Sequence, residues 1–357
     1  MLHSLYRAAK TLRRTRPLQA PWDGVPEPFR NLPLGTFSVP SSLAQWEQER
    51  PAVRNTILHC LGSVPSRPDS IAVHTIWKKP ANGYTVEKFV FDNGVDSQVP
   101  GYIAIPERRK HPVPAVLVMH GHGGSKEEPF GMISSHHDVA GRLARKGYAV
   151  LAIDCYFSGE RAGTGPGGRS TAFNRKLQEE TSLFKLNLWL GRSLWGMMLR
   201  DQQIAIDYLQ SRPEVNANRI AVQGMSLGST GAWWLAALDD RIRAAVSVAC
   251  FTRYEDLIAT RALNAHGIYY FVPGILQHFD SEGVMALIAP RPLLALTGDR
   301  DAGSPPEGIR KLEKVLRGVY ALHGKSDHFK SVVYPRTGHV YTGHMKQSMV
   351  AWLDRFL

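Results

Sequence analysis

Gly224-Met225-Ser226-Leu227-Gly228 is the stretch of this sequence whose residue types and spacing have the clearest chemical use. It follows a strand-like run at 219–223 and precedes a helix-like stretch at 227–238. In that context G-x-S-x-G sets a serine on a sharp strand-to-helix turn. The turn strains Ser226, and the flanking glycines leave room where a Cβ would meet neighbouring backbone. Its hydroxyl then stands clear at the carboxyl end of a sheet. The N–H of Leu227, at the helix start, favours a developing oxyanion. His120-Gly121-His122-Gly123-Gly124 follows an apolar run and sits where a second oxyanion donor is needed. The backbone N–H of His122, then of Gly123, is expected to supply it.

A serine hydroxyl is a weak nucleophile until a base takes its proton. His339, after the strand-like 332–334, is the expected base; His344 and His328 are lesser candidates. The acid should come from the loop after the 292–297 strand, where Asp299 and Asp301 compete. Asp301 is preferred because it lies farther past the strand end. Its work would be to hold the histidine tautomer and stabilise the imidazolium. A metal site on His120 and His122, with His136, His137 and Asp138, is the rival use of these residues. One H-x-H pair without a clear carboxylate set is thin support, so neither metal nor other cofactor is expected.

The elements that must position these groups read from the hydrophobic period. Residues 41–61 form a helix capped by Ser41 or Ser42, with Pro51 as a kink or break. Residues 71–77 and 84–91 alternate as strands around Asn82-Gly83, and 101–105 is a third strand. The continuous apolar run 115–119 is a strand buried on both faces of a parallel sheet. Helix 133–146, strand 148–153, helix 193–210, strand 219–223, helix 227–238 and strand 242–249 continue the alternation. Strand 292–297, helix 305–318, strand 332–334 and helix 342–356 close it. The pattern specifies an α/β fold with a mixed, mostly parallel sheet and helices on both faces. Residues 1–65 read as a basic arm with a helical extension, and 66–357 as the catalytic domain. Insertions at about 154–192 and 250–290 have the length of lids or binding loops.

Composition narrows the function classes. The chain has 357 residues, of which 43% are hydrophobic and 21% charged, so disorder and disulfide mini-scaffolds are excluded. Net charge is +12, concentrated partly in 1–22, but no motif turns it into specific nucleic-acid binding. Proline-rich 17–40 reads as extended arm. Cys60, Cys155 and Cys250 are too scattered for a disulfide framework. They suit a reducing, cytoplasmic setting, and no run approaches the ~20 apolar residues of a membrane span.

The order Ser226, Asp301, His339 is that of the α/β-hydrolases. From about residue 70 to 357 the sequence resembles that superfamily. Asp154 with Gly159-Glu160-Arg161, and Ala289-Pro290-Arg291-Pro292 before the acid strand, resemble its bacterial dienelactone-hydrolase-like and acetyl-xylan-esterase-like branch. Two features depart from it: the nucleophile is a serine where dienelactone hydrolases carry cysteine, and Ser229 replaces a further elbow glycine. The resemblance implies an α/β-hydrolase fold and leaves the substrate open.

Tyr156, Phe157, Tyr269 and Tyr270 lie on the insertions, where aromatics can line an acyl or alcohol pocket. Arg161 reads either as the partner of Glu160 or as a clamp for a substrate carboxylate. The expected activity is hydrolysis of a small-molecule carboxylic ester, of short acyl groups, through an acyl-enzyme. Amide, peptide or thioester cleavage by the same triad is the alternative, and a silent ligand-binding module a more distant one. A homo-oligomer is compatible with the sequence.

Overall fold

The computed structural model describes residues 25–29, 32–107, 111–133, 138–166 and 175–357. Basic residues 1–22, together with His136 and His137, lie outside the described residues. Among the described residues, nine strands form one sheet: β1 (Val73–Ala81), β2 (Tyr84–Asp92), β3 (Gln98–Pro106), β4 (Val113–Met119), β5 (Ala149–Ile153), β6 (Val215–Met225), β7 (Ile242–Val248), β8 (Leu293–Gly298) and β9 (Phe329–Tyr334). Their order is β1-β2-β3-β5-β4-β6-β7-β8-β9. The β1, β2, β3 and β5 pairings are antiparallel, and every pairing from β5 through β4 to β9 is parallel.

Helices cover both faces: α1 (Leu43–Leu61), α2 (Val139–Arg145), α3 (Arg175–Trp189), α4 (Leu194–Ser211), α5 (Leu227–Leu238), α6 (Tyr254–Ala259), α7 (Ser281–Ala286), α8 (Pro306–Leu322) and α9 (Gly343–Phe356). Strand β4 shows why a continuous apolar run is needed. Ala115, Leu117 and Met119 join the core beneath α1, α4, α5 and α8, while Val116 and Val118 join the one beneath α2 and α9. Both faces of the strand are dry, so alternation would bury polar groups.

Three features go beyond the sequence reading. Helix α1 runs unbroken through Pro51, and its Ser42 cap accepts the Gln45 N–H. Trp46, Ile57 and Leu61 of α1 belong to the main core, and Gly35 donates to the Leu276 carbonyl, so this segment packs on the sheet domain. The first insertion contains a helix, α3, that the pattern did not announce.

Candidate active site

The parallel strands end together, and the site is built on their carboxyl ends. Met119 of β4 pairs with Gly224 of β6, and Met225 pairs with Val248 of β7. The chain then turns at Ser226 into α5, with φ +60° and ψ −118° at a residue that carries a side chain. Two hydrogen bonds hold that conformation, from the Ser226 N–H to the carbonyls of Val248 (2.9 Å) and Ala249 (3.1 Å). Neither elbow glycine tolerates a side chain. A Cβ on Gly224 would run into the Gly228 carbonyl, and one on Gly228 into the Met119 carbonyl. The strain is thus enforced by packing around the turn. Ser226 itself is half-buried, and the buried Cys250 thiol faces it and Thr230. Burial pushes that thiol far above the usual cysteine range, which keeps it unreactive.

Asp301 and His339 meet directly. His339 Nδ1 lies 2.9 Å from Asp301 Oδ2, and the carboxylate is 1% exposed. The other carboxylate oxygen accepts the Gly303 N–H at 2.9 Å. The hydrogen bond to Asp301 raises the His339 pKa above the ordinary histidine value, against the opposing effect of burial. Asp299 faces elsewhere. Its Oδ1 accepts the Thr337 N–H at 3.1 Å, while the Arg300 N–H donates to the Thr337 carbonyl at 2.8 Å. The backbone N–H groups of Arg336 and Thr337 hold the Asp299 carboxyl below the usual carboxylate range. Asp299 therefore ties the β8 loop to the β9 loop that carries His339. His344 lies within α9, and His328 bonds the Pro290 carbonyl.

Leu227 opens α5, so its N–H is one of the four without an intrahelical acceptor. The 120–124 loop runs alongside Ser226: a Cβ on Gly121 would stand 3.8 Å from Ser226 Cβ. Gly123 adopts φ +76° there. The rings of His120 and His122 serve different partners. His120 is buried, bonding the Gly121 carbonyl through Nδ1 and accepting the Cys155 N–H at Nε2. His122 Nε2 lies 2.7 Å from Glu180 of α3. Asp138 caps α2. Among the described residues, no cluster of three or more His, Cys, Asp or Glu side chains could hold a metal.

The expected pocket residues split into groups. Tyr156, Phe157 and Arg161 line a cavity of about 550 Å³ between β1–β3, the 156–166 loop and α3. Tyr270 lines a separate, apolar cavity of about 390 Å³. Neither is lined by Ser226, Asp301 or His339. Tyr269 stacks on Phe157 (centroids 5.7 Å apart) and approaches His122 (5.1 Å), which places both aromatics beside the 120–124 loop.

Arg161 requires a correction: Glu160 is not its partner. Its guanidinium is buried, lies 3.9 Å over the Tyr156 ring and bonds Asp201 of α4 at 2.8 Å and Ser97 at 2.6 Å. With both terminal nitrogens engaged it anchors the loop rather than presenting a clamp. Glu160 instead pairs with Lys88 and with Lys126, whose fully buried ammonium also meets Asp154 at 2.9 Å. Sequence reasoning missed Lys126, Asp201 and Glu180, because their partners lie tens of residues away and leave no local spacing.

Residues 33–356 match the family model described as the Abhydrolase family. The chain belongs to that family. It is a hydrolase with the α/β-hydrolase fold, as the order of its site residues led one to expect. A Bacillus subtilis (strain 168) protein named as a hydrolase, YtaP, is 36% identical over 310 residues, covering 85% of this chain and 98% of that one. A Yersinia pestis protein named as a carboxymethylenebutenolidase is 25% identical over 256 residues, 70% of this chain and 77% of that one. Among solved structures, one described as an acetyl xylan esterase from Bacteroides fragilis NCTC 9343 superposes with a TM-score of 0.71. It is 20% identical and the match covers 92% of this chain and 93% of that chain, a likeness of fold.

Proposed function

We propose that this hydrolase cleaves carboxylic esters of short acyl groups with Ser226 as nucleophile, His339 as base and Asp301 as the acid that orients it. The observation that carries the reading is the His339–Asp301 pair at 2.9 Å, on the same sheet edge as the strained Ser226 elbow. His339 Nε2 takes the Ser226 proton as Oγ attacks the ester carbonyl, while Asp301 holds the proton on Nδ1. The backbone N–H groups of Leu227 and His122, with Gly123 as the alternative, receive the oxyanion. His339 returns the proton to the departing alcohol. Water activated by the same nitrogen then releases the acid from the acyl-enzyme. The two names that relatives carry, carboxymethylenebutenolidase and acetyl xylan esterase, both denote cleavage of an ester-type bond, which favours esters over amides. The aromatic wall of Phe157 and Tyr269 beside the 120–124 loop supports a confined pocket.

The test is turnover of p-nitrophenyl esters, acetate through decanoate, by wild type and Ser226→Ala. Wild type is expected to favour acetate, and the alanine variant to lose at least about 10³-fold of the rate while staying folded. Undiminished turnover in Ser226→Ala would remove the mechanism. A preference for decanoate would remove the short-acyl reading.

A further inference from the structure

Glu180 lies outside the proposed triad, and its carboxylate is almost fully buried at the meeting point of three segments. It belongs to α3 of the first insertion. Oε2 lies 2.7 Å from His122 Nε2 in the 120–124 loop, and Oε1 accepts the N–H of Tyr269 in the second insertion at 3.3 Å. An ionised carboxylate only accepts hydrogen bonds, so the ring proton of neutral His122 sits on Nε2. Nδ1 is then left as an acceptor, with no partner among the described residues. The imidazole remains 36% exposed, packed by Phe157 and Tyr269, in the loop that lies against Ser226.

We propose that His122 is a substrate-selecting residue and Glu180 the residue that positions it. Nδ1 of His122 accepts a hydrogen bond from a hydroxyl of the substrate close to the scissile ester. Glu180 fixes the tautomer that makes this possible. The inference rests on the serine-esterase reading above, and adds a recognition element that no triad residue supplies. A substrate with an ether oxygen in place of that hydroxyl would set two acceptors face to face. Such a mismatch costs roughly tenfold or more in kcat/KM. Glu180→Gln has a distinctive consequence. The buried Tyr269 N–H still needs an oxygen, so the amide nitrogen must face His122. Nε2 then has to accept and the proton moves to Nδ1, which donates to a hydroxyl or an ether oxygen alike, so the preference for the hydroxyl is lost while the ring is kept.

Two ester pairs test this: 2-hydroxyethyl against 2-methoxyethyl acetate for the alcohol side, and methyl glycolate against methyl methoxyacetate for the acyl side. The readout is the hydroxyl-to-methoxy ratio of kcat/KM. Wild type should give about 10 or more in at least one pair. That ratio should fall to about 1 in both His122→Leu and Glu180→Gln. A wild-type ratio near 1 in both pairs overturns the proposal, as does a proportional loss of all four rates in both variants. Nitrogen-15 spectra of histidine-labelled wild type near pH 8 give a second decision that needs no variant of Glu180. The His122 signals, identified by their loss in His122→Leu, should show the proton on Nε2, and a proton on Nδ1 overturns the assignment. If no ester is turned over at all, the esterase reading fails while the tautomer measurement still decides the part assigned to Glu180.

Discussion

At the scale of single residues, the two aspartates of the 298–301 turn divide the labour. Asp301 bonds the His339 ring and Asp299 bonds the backbone that carries it. Because Asp301 raises the His339 pKa, the rising limb of kcat/KM against pH should lie above the ordinary value of about 6.5. Asp301→Asn should move that limb to lower pH and depress the plateau by up to roughly 10⁴-fold, since the ring loses its charged partner and its tautomer. Asp299→Asn should leave the limb where it is. A pH–rate profile of the three proteins checks both, and a limb that moves only in Asp299→Asn would exchange the assignments. Stability carries the opposite sign. A raised histidine pKa stabilises the fold most where His339 is protonated, and that contribution fades as pH rises through the raised value.

At the scale of elements, the elbow works because β4, β6 and α5 approach more closely than side chains allow. Gly228→Ala would push a methyl into the Met119 and His120 carbonyls, and should cost about 1–3 kcal/mol in urea unfolding. Gly343→Ala, at the start of α9 with open space around it, should be neutral or slightly stabilising. Equal midpoints for the two variants would contradict the crowding. These elements were legible in the sequence because each obeys a local rule: the doubly buried run of β4, the G-x-S-x-G turn before α5, the Gly147 break before β5. What escaped was set by distant partners. Strand β6 begins at Val215 and β3 at Gln98, in each case earlier than the apolar pattern, because neighbouring strands supply the pairing. Strand β1 extends through Pro80, which an edge strand tolerates. The Asp301–His339 pair could be expected from chain order. The Glu180–His122 and Arg161–Asp201 pairs could not, since nothing near any of the four residues marks its partner.

At the scale of the molecule, buried charge binds the first insertion to the sheet. Lys126 is fully buried among Glu127, Asp154 and Glu160, and Asp154 also accepts the N–H groups of Lys126 and Glu160. Lys126→Ala would strand the buried Asp154 carboxylate and should cost about 3–5 kcal/mol, read as a lower urea midpoint. An unchanged midpoint would mean that the cluster is merely neutral. No helix among the described residues is long and apolar enough to cross a membrane. The sheet order has a kinetic consequence of its own. Ser226 follows β6, which is enclosed by strands on either side, whereas His339 follows β9, which among the described residues has β8 as its single neighbour and leaves Val333 exposed. Rim strands open to amide exchange more readily than central ones. On slow heating His339 should therefore lose its station while Ser226 keeps its own, so that, on the mechanism proposed, inactivation runs ahead of denaturation and, on cooling, activity returns with the re-annealing of a single strand.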